Sequence, residues 1–142
     1  MVFSRIDIRS MVHLECDGRT VSIPAHVQGI VVLNVGSYMG GVDVWNQRQR
    51  RDGRDGFRSR QEMDDGVLEI VGIGGPWHLG RLQFRAAGAT RLAQCRRVRI
   101  SLRGAAGEAV PMHVDGEPFR WRGGGTVDIE RRGARRVLRR RG

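Results

Sequence analysis

The sequence predicts a mainly β fold, sandwich-like or barrel-like, with one or two short helices. Three observations lead there. Apolar residues alternate with polar ones over short runs, the period of a strand that buries one face. Asp-Gly pairs at positions 17–18, 65–66 and 115–116 fall between such runs, and Asp-Gly readily adopts the backbone angles of a tight turn. Glycine supplies 21 of the 142 residues, which favours turns over long helices.

Taken in order, Val12, Leu14 and Cys16 alternate with His13 and Glu15, then Asp17-Gly18 turns the chain into Thr20 to Ile23. This pattern predicts an antiparallel hairpin. Residues 29–35 form a continuous, largely β-branched run too short for a helix, and predict a central strand buried on both faces. Residues 42–62 read as a long polar loop, expected to be disordered, with arginines crowded between positions 48 and 60. Val67-Leu68-Glu69-Ile70-Val71 restores strand character. Residues 77–87 fit a strand and a helical stripe equally. Val98, Ile100 and Leu102 against Arg97, Arg99, Ser101 and Arg103 give the clearest alternation, with residues 91–94 leading in. Met112 and Val114 form a further strand that turns at Asp115-Gly116, and residues 126–130 close the series. Seven or eight strands are expected, with no internal repeat.

The length suits one domain, placed at residues 5–138 with a basic tail at 139–142. With 39% hydrophobic and 6% aromatic residues, the core is expected to be aliphatic and modest. No apolar run reaches the ~18 residues of a membrane span, and residues 1–7 lack a signal-peptide core. Cys16 and Cys95 are far apart in sequence and read as reduced packing residues, which suits a cytoplasmic setting. The formal net charge is +10, and all 25 basic residues are arginine. Coding bias accounts for arginine in place of lysine, and the alternative reading is attraction to polyanions, whether phosphates, nucleic acid or acidic lipid, which charge alone does not separate. The arginines are not interleaved with aromatics for base stacking, and no zinc spacing joins His13, His26 or His113 to the cysteines, so nucleic acid is not the expected partner. His78 reads as a packed histidine. Trp45, Trp77 and Trp121 read as core or rim.

Against this basic background, acids gather at two strand-edge turns, Asp64-Asp65-Gly66 and Asp115-Gly116-Glu117. A scaffold that fixes carboxylates can bind a hard cation such as Mg²⁺ or take a proton from a hydroxyl. The same residues also make ordinary turns, and the pattern alone leaves both readings open.

Four phrases, in order, carry more: Leu14-Glu15-Cys16-Asp17-Gly18; residues 28–41, from Gln28 through Asn34 and Tyr38 to Gly41; residues 64–72 with His78-Leu79-Gly80 behind; and Val114-Asp115-Gly116-Glu117-Pro118-Phe119. Together, over residues 11–132, they resemble the accessory domain of eukaryotic diacylglycerol kinases. The resemblance implies the β-rich C-terminal lobe of a two-lobe lipid kinase core, whose other lobe binds ATP through a Gly-Gly-Asp-Gly loop. This chain has no such loop: Gly40-Gly41-Val42-Asp43 lacks the following glycine.

By the same resemblance, Glu117 is the candidate general base, with Asp115 beside it in the catalytic motif. Asp65 is the candidate for a metal and water network joining the lobes, assisted by Asp64 or Glu62. Asn34 and Tyr38 face the cleft as candidate substrate-binding residues, Asn34 by positioning and Tyr38 by packing. ATP and Mg²⁺ are the implied cofactors. Diacylglycerol or an anionic lipid surface, and an ATP-binding lobe in cis or in trans, are the implied partners, with the protein peripheral at membranes. The expected function is the C-terminal portion of a kinase that converts diacylglycerol to phosphatidic acid, inactive without the nucleotide lobe. Two other readings stand beside it: a non-catalytic module for lipid headgroups or a partner lobe, and a basic polyanion binder. Gly36 stands where the family's turn usually carries proline, which leaves that turn's backbone less restricted.

Overall fold

A computed structural model describes residues 7–36, 43–45, 57, 61–74, 89–104 and 109–133. Tyr38, Trp77, His78, most of the arginine-rich 48–60 stretch and the basic tail lie outside these residues. The described chain is mainly β, as expected, with one short helix, α1 (Ile8–Met11), capped by Asp7. The strands are β1 (Val12–Cys16), β2 (Arg19–Thr20), β3 (Gly29–Leu33), β4 (Leu68–Ile73), β5 (Ala89–Cys95), β6 (Arg97–Leu102), β7 (Ala109–Val114), β8 (Glu117–Arg122) and β9 (Gly125–Glu130). No helix among the described residues is long and apolar enough to cross a membrane.

Three antiparallel sheets result, with strand orders β2-β1-β6-β9, β3-β4-β5 and β7-β8. The β1–β2 hairpin turns where alternation and Asp-Gly chemistry place it, with Asp17 at φ 49° and Gly18 at φ 76°, both in the left-handed region that a two-residue type I′ turn requires. Asp17 also ties this turn to the next sheet. Its Oδ1 accepts the backbone N–H groups of Arg96 (3.1 Å) and Arg97 (2.9 Å), where the chain bends from β5 into β6.

The core lies between the four-stranded and three-stranded sheets. Leu14, Cys16 and Val98 from one face meet Ile70, Ala93 and Cys95 from the other. The far side of the three-stranded sheet is covered as well: Val31, Leu33, Val71 and Ile73 pack with Val44, Trp45 and Phe57. Two expectations need revision here. β3 is covered on both faces but sits at the edge of its sheet among the described strands, and β4 holds the centre with five of its six residues buried. The 42–62 stretch, read as a polar disordered loop, contains an anchor. Trp45 is wholly buried, meets Phe57 edge to face at 5.7 Å and lies under the Arg91 guanidinium at 4.7 Å. Arg91 Nε also donates to the Trp45 carbonyl at 2.8 Å. β5 meets this segment through a bulge: Ala93 pairs with Ile70 and Arg91 with Val71, leaving Leu92 unpaired.

Cys16 and Cys95, distant in sequence, come together in the core as free thiols. The hydrogen bond between them lowers the Cys16 pKa and raises that of Cys95. They pack as expected, but as neighbours: β1 and the end of β5 converge across the two sheets.

β8 is the strand that the alternation reading passes over. Its Pro118 would be awkward in a central strand, yet β7 and β8 pair with each other alone among the described strands, Val114 with Glu117 through Ala109 with Arg122. The root of this ribbon is tight. A Cβ on Gly104 would stand 2.6 Å from the Gly123 carbonyl, and one on Gly125 would stand 2.9 Å from Trp121 Cζ2.

Candidate functional site

The four-stranded sheet has two ends, and the acidic turns attach at different ones. At one end, β6 begins at Arg97 opposite Glu130, and Cys16 lies opposite Val98. The lead-in to β4 reaches the same end. Gly66, at φ 74°, abuts the Arg131 side chain so closely that a Cβ would stand 2.9 Å from its Nη1. Leu33 pairs with Glu69, so the chain leaves β3 through Asn34 where it enters β4 past Asp64 and Asp65. Asn34, Asp64 and Asp65 are therefore gathered at one end of the three-stranded sheet, with Arg131 added from beyond β9. Asn34 and Asp64 are exposed, and Asp65 is half-buried.

At the other end, Leu102 pairs with Gly125, and the β7–β8 ribbon springs from the Gly104 and Gly123 contact. The six residues of β6 separate these ends by about 17 Å at ~3.4 Å per residue. The structure thus roots the ribbon that carries Asp115 and Glu117 at the end of the sheet opposite the Asp64 and Asp65 corner. Asp115 at φ 49° and Gly116 at φ 90° make a second type I′ turn, which leaves both carboxylates exposed at the ribbon's tip.

Each acid has a local explanation and a chemical opportunity. Asp65 Oδ1 accepts the Val67 N–H at 2.8 Å, so this carboxylate fixes the turn that starts β4. Among the described residues, no group of three or more His, Cys, Asp or Glu side chains has the spacing to hold a metal ion. Asp64 and Asp65 therefore do not form a Mg²⁺ cage by themselves.

The residue that the sequence reading left without a role is Glu69. It is wholly buried in β4 and shares a face with Leu33 and Val71. Its Oε1 accepts from Gln94 Nε2, directly across on β5, at 3.1 Å. Burial raises its pKa, the Gln94 and Gln61 side chains pull it partly back, and the nearby Asp65 charge pushes it up again. The signal was in plain view: one carboxylate inside the apolar run Leu68-Glu69-Ile70-Val71.

A pH dependence follows. Below the ordinary carboxylate value of 4.5, folded and unfolded chains both hold this proton, and ionisation costs folding nothing. As pH rises past that value the unfolded chain releases its proton first, so stability falls until the buried carboxyl also ionises. Glu69→Gln stays neutral at every pH and can still accept from Gln94. Its stability relative to the parent chain should therefore improve as pH rises past about 4.5, where the unfolded chain's carboxyl begins to ionise and the buried one does not. Urea unfolding at several pH values checks this, and a difference that stays flat would contradict it.

Arginines on the four-stranded sheet are largely committed to internal partners. Arg99 Nε donates to Asp128 Oδ1 at 2.8 Å, and Arg97 approaches Asp128 (3.6 Å) and Glu130 (3.9 Å). The Arg99 contact holds the Asp128 carboxyl below its usual range. Such exposed pairs add little stability, but they take charge from any polyanion surface on this sheet.

The family model for the diacylglycerol kinase accessory domain matches residues 2–118. The chain belongs to this family. The match takes in both acidic turns and ends just inside β8, so β9, the fourth strand of the larger sheet, comes from beyond it. Diacylglycerol kinase 2 of Arabidopsis thaliana is 45% identical over 113 residues, covering 80% of this chain. Diacylglycerol kinase 1 of the same plant is 41% identical over 114 residues, again 80% of the chain. Diacylglycerol kinase kappa of Homo sapiens is 37% identical over 133 residues, or 94% of the chain. The accessory domain chain spans 15%, 15% and 10% of these three relatives' own lengths, in that order. No solved structure matches it.

Proposed function

We propose that this accessory domain is the C-terminal portion of an ATP-dependent diacylglycerol kinase and supplies the group that deprotonates the lipid hydroxyl. One observation carries the reading: Glu117 stands exposed at the tip of a tightly rooted ribbon, next to a type I′ turn that fixes its backbone. In the proposed reaction the primary hydroxyl of diacylglycerol gives its proton to the Glu117 carboxylate as its oxygen bonds the γ-phosphorus of ATP. ADP leaves, and phosphatidic acid results. A positioned carboxylate suits this step, because phosphoryl transfer asks the protein mainly for orientation and charge placement. Asp115, one residue before the turn glycine, adds negative charge beside the base. Asp65 holds the β4 turn, Asn34 positions substrate, and Tyr38 contributes by packing. ATP and Mg²⁺ are proposed to come with the nucleotide lobe, and Asp64 and Asp65 to face it.

The test is reconstitution. Residues 1–142 with ATP, Mg²⁺ and diacylglycerol in mixed micelles should yield no phosphatidic acid. Joined to the ATP-binding lobe of one of the matched plant kinases, they should yield it readily. Activity from residues 1–142 unaided, or none from a folded fusion, would overturn the proposal.

A further inference from the structure

The β7–β8 ribbon is amphipathic in a way that its one-dimensional sequence hides. Cross-strand partners share a face. Val110 with Trp121, Met112 with Phe119, and Val114 with Glu117 therefore line one side, while Arg122, Arg120, His113 and Pro118 line the other. The apolar side is half-buried at the root, at Val110, Trp121 and Met112, and opens toward the tip. There Val114 is 62% exposed and Phe119 is 40% exposed. A two-stranded ribbon is marginal in water unless its apolar face is covered, and among the described strands no other pairs with this one.

We infer that this face docks on an anionic lipid surface, with Val114 and Phe119 entering the boundary between headgroups and acyl chains. The charge pattern selects that occupant. An interfacial amphipathic element buries its apolar face about 5–10 Å deep and carries arginines on its opposite face at headgroup level. Arg120 and Arg122 stand where this geometry needs them, and the chain as a whole carries +10. The two tip acids, Asp115 and Glu117, are outweighed by this charge, and one of them gains a purpose. Glu117 shares the face of Val114, so docking brings its carboxylate to the depth at which a neutral diacyl lipid presents its hydroxyl. The inference builds on the lipid kinase reading, but vesicle binding needs neither nucleotide nor turnover and can fail separately from the reconstitution assay.

The experiment is co-sedimentation of residues 1–142 with phosphatidylcholine vesicles, with and without about a third phosphatidylserine. Three proteins are compared: the parent chain, Val114→Ser/Phe119→Ser, and Arg120→Gln/Arg122→Gln. All four positions are exposed, and circular dichroism verifies that the variants stay folded. The parent should bind the anionic vesicles and bind neutral ones far more weakly. The serine pair, which leaves the charge untouched, should lower anionic-vesicle binding by about tenfold, as expected for two side chains losing interfacial burial. The glutamine pair should lower it several-fold and flatten its salt dependence. Unchanged binding by the serine pair would assign any lipid attraction to arginines elsewhere and overturn the inference, as would equal binding to neutral vesicles.

Discussion

Glu117→Gln, in a chain that carries both lobes, should lower the rate of diacylglycerol phosphorylation by about two to four orders of magnitude, the usual worth of a positioned acid–base group. The amide keeps the shape of the side chain but cannot accept the hydroxyl proton. Because Glu117 is exposed, the thermal midpoint should not move, and KM for the lipid should change little beside kcat. Asp115→Asn is the companion. Asparagine tolerates the positive φ that Asp115 adopts, so this variant removes charge while preserving the turn and should cost less than Glu117→Gln. Steady-state kinetics on mixed micelles separates the two. If Glu117→Gln turned over at the parent rate, the base would have to lie elsewhere, and the ribbon would be left with a docking role alone.

Trp45→Ala should be the most destabilising single change among the described residues, by about 3–5 kcal/mol. The indole has no solvent exposure. It fills the far side of the three-stranded sheet against Val31, Leu33, Val71 and Ile73. Its loss leaves a cavity and removes the platform under the Arg91 guanidinium, a contact worth about another 1 kcal/mol. Urea unfolding should show a lower midpoint at nearly unchanged slope. Trp45→Phe, which retains most of the apolar volume, should recover much of the difference. A loss under about 1 kcal/mol would mean that the segment around Trp45 rests on the sheet without clamping it, since the surrounding structure would then have closed the cavity at little cost.

What could be read from the chain divides along lines of locality. The β1–β2 hairpin was legible because alternation and an Asp-Gly turn state the same thing within ten neighbouring residues, and β6 was legible for a similar reason. β3 was legible as a strand but not as an edge, since covered faces say nothing about hydrogen-bonding neighbours. Trp45 was legible as a core or rim residue, but its role as an anchor was not, because that depends on Arg91, 46 residues away. The Cys16 and Cys95 contact is likewise made by topology. β8 carried a usable signal in Phe119 and Trp121 alternating with Arg120 and Arg122, and Pro118 masked it. For the candidate site, the sequence named both acidic turns but led to the expectation that the Glu117 and Asp65 corners share one cleft, which the rooting of the ribbon does not support. It had no means of showing that the Glu117 ribbon roots at the opposite end of the sheet. That separation arises from the β6–β9 register, which links positions about thirty residues apart.

The pairing of β6 with β9 bears on where this unit can be severed. Ending the polypeptide at residue 118, where the family match stops, would cut within β8 and strip β6 of its outer neighbour. An unpaired row of amide and carbonyl groups would then face solvent alongside the apolar Val98 and Ile100, a template for sticking to other copies. The cooperative folding unit therefore extends at least through Glu130, past the border that the family match alone would draw.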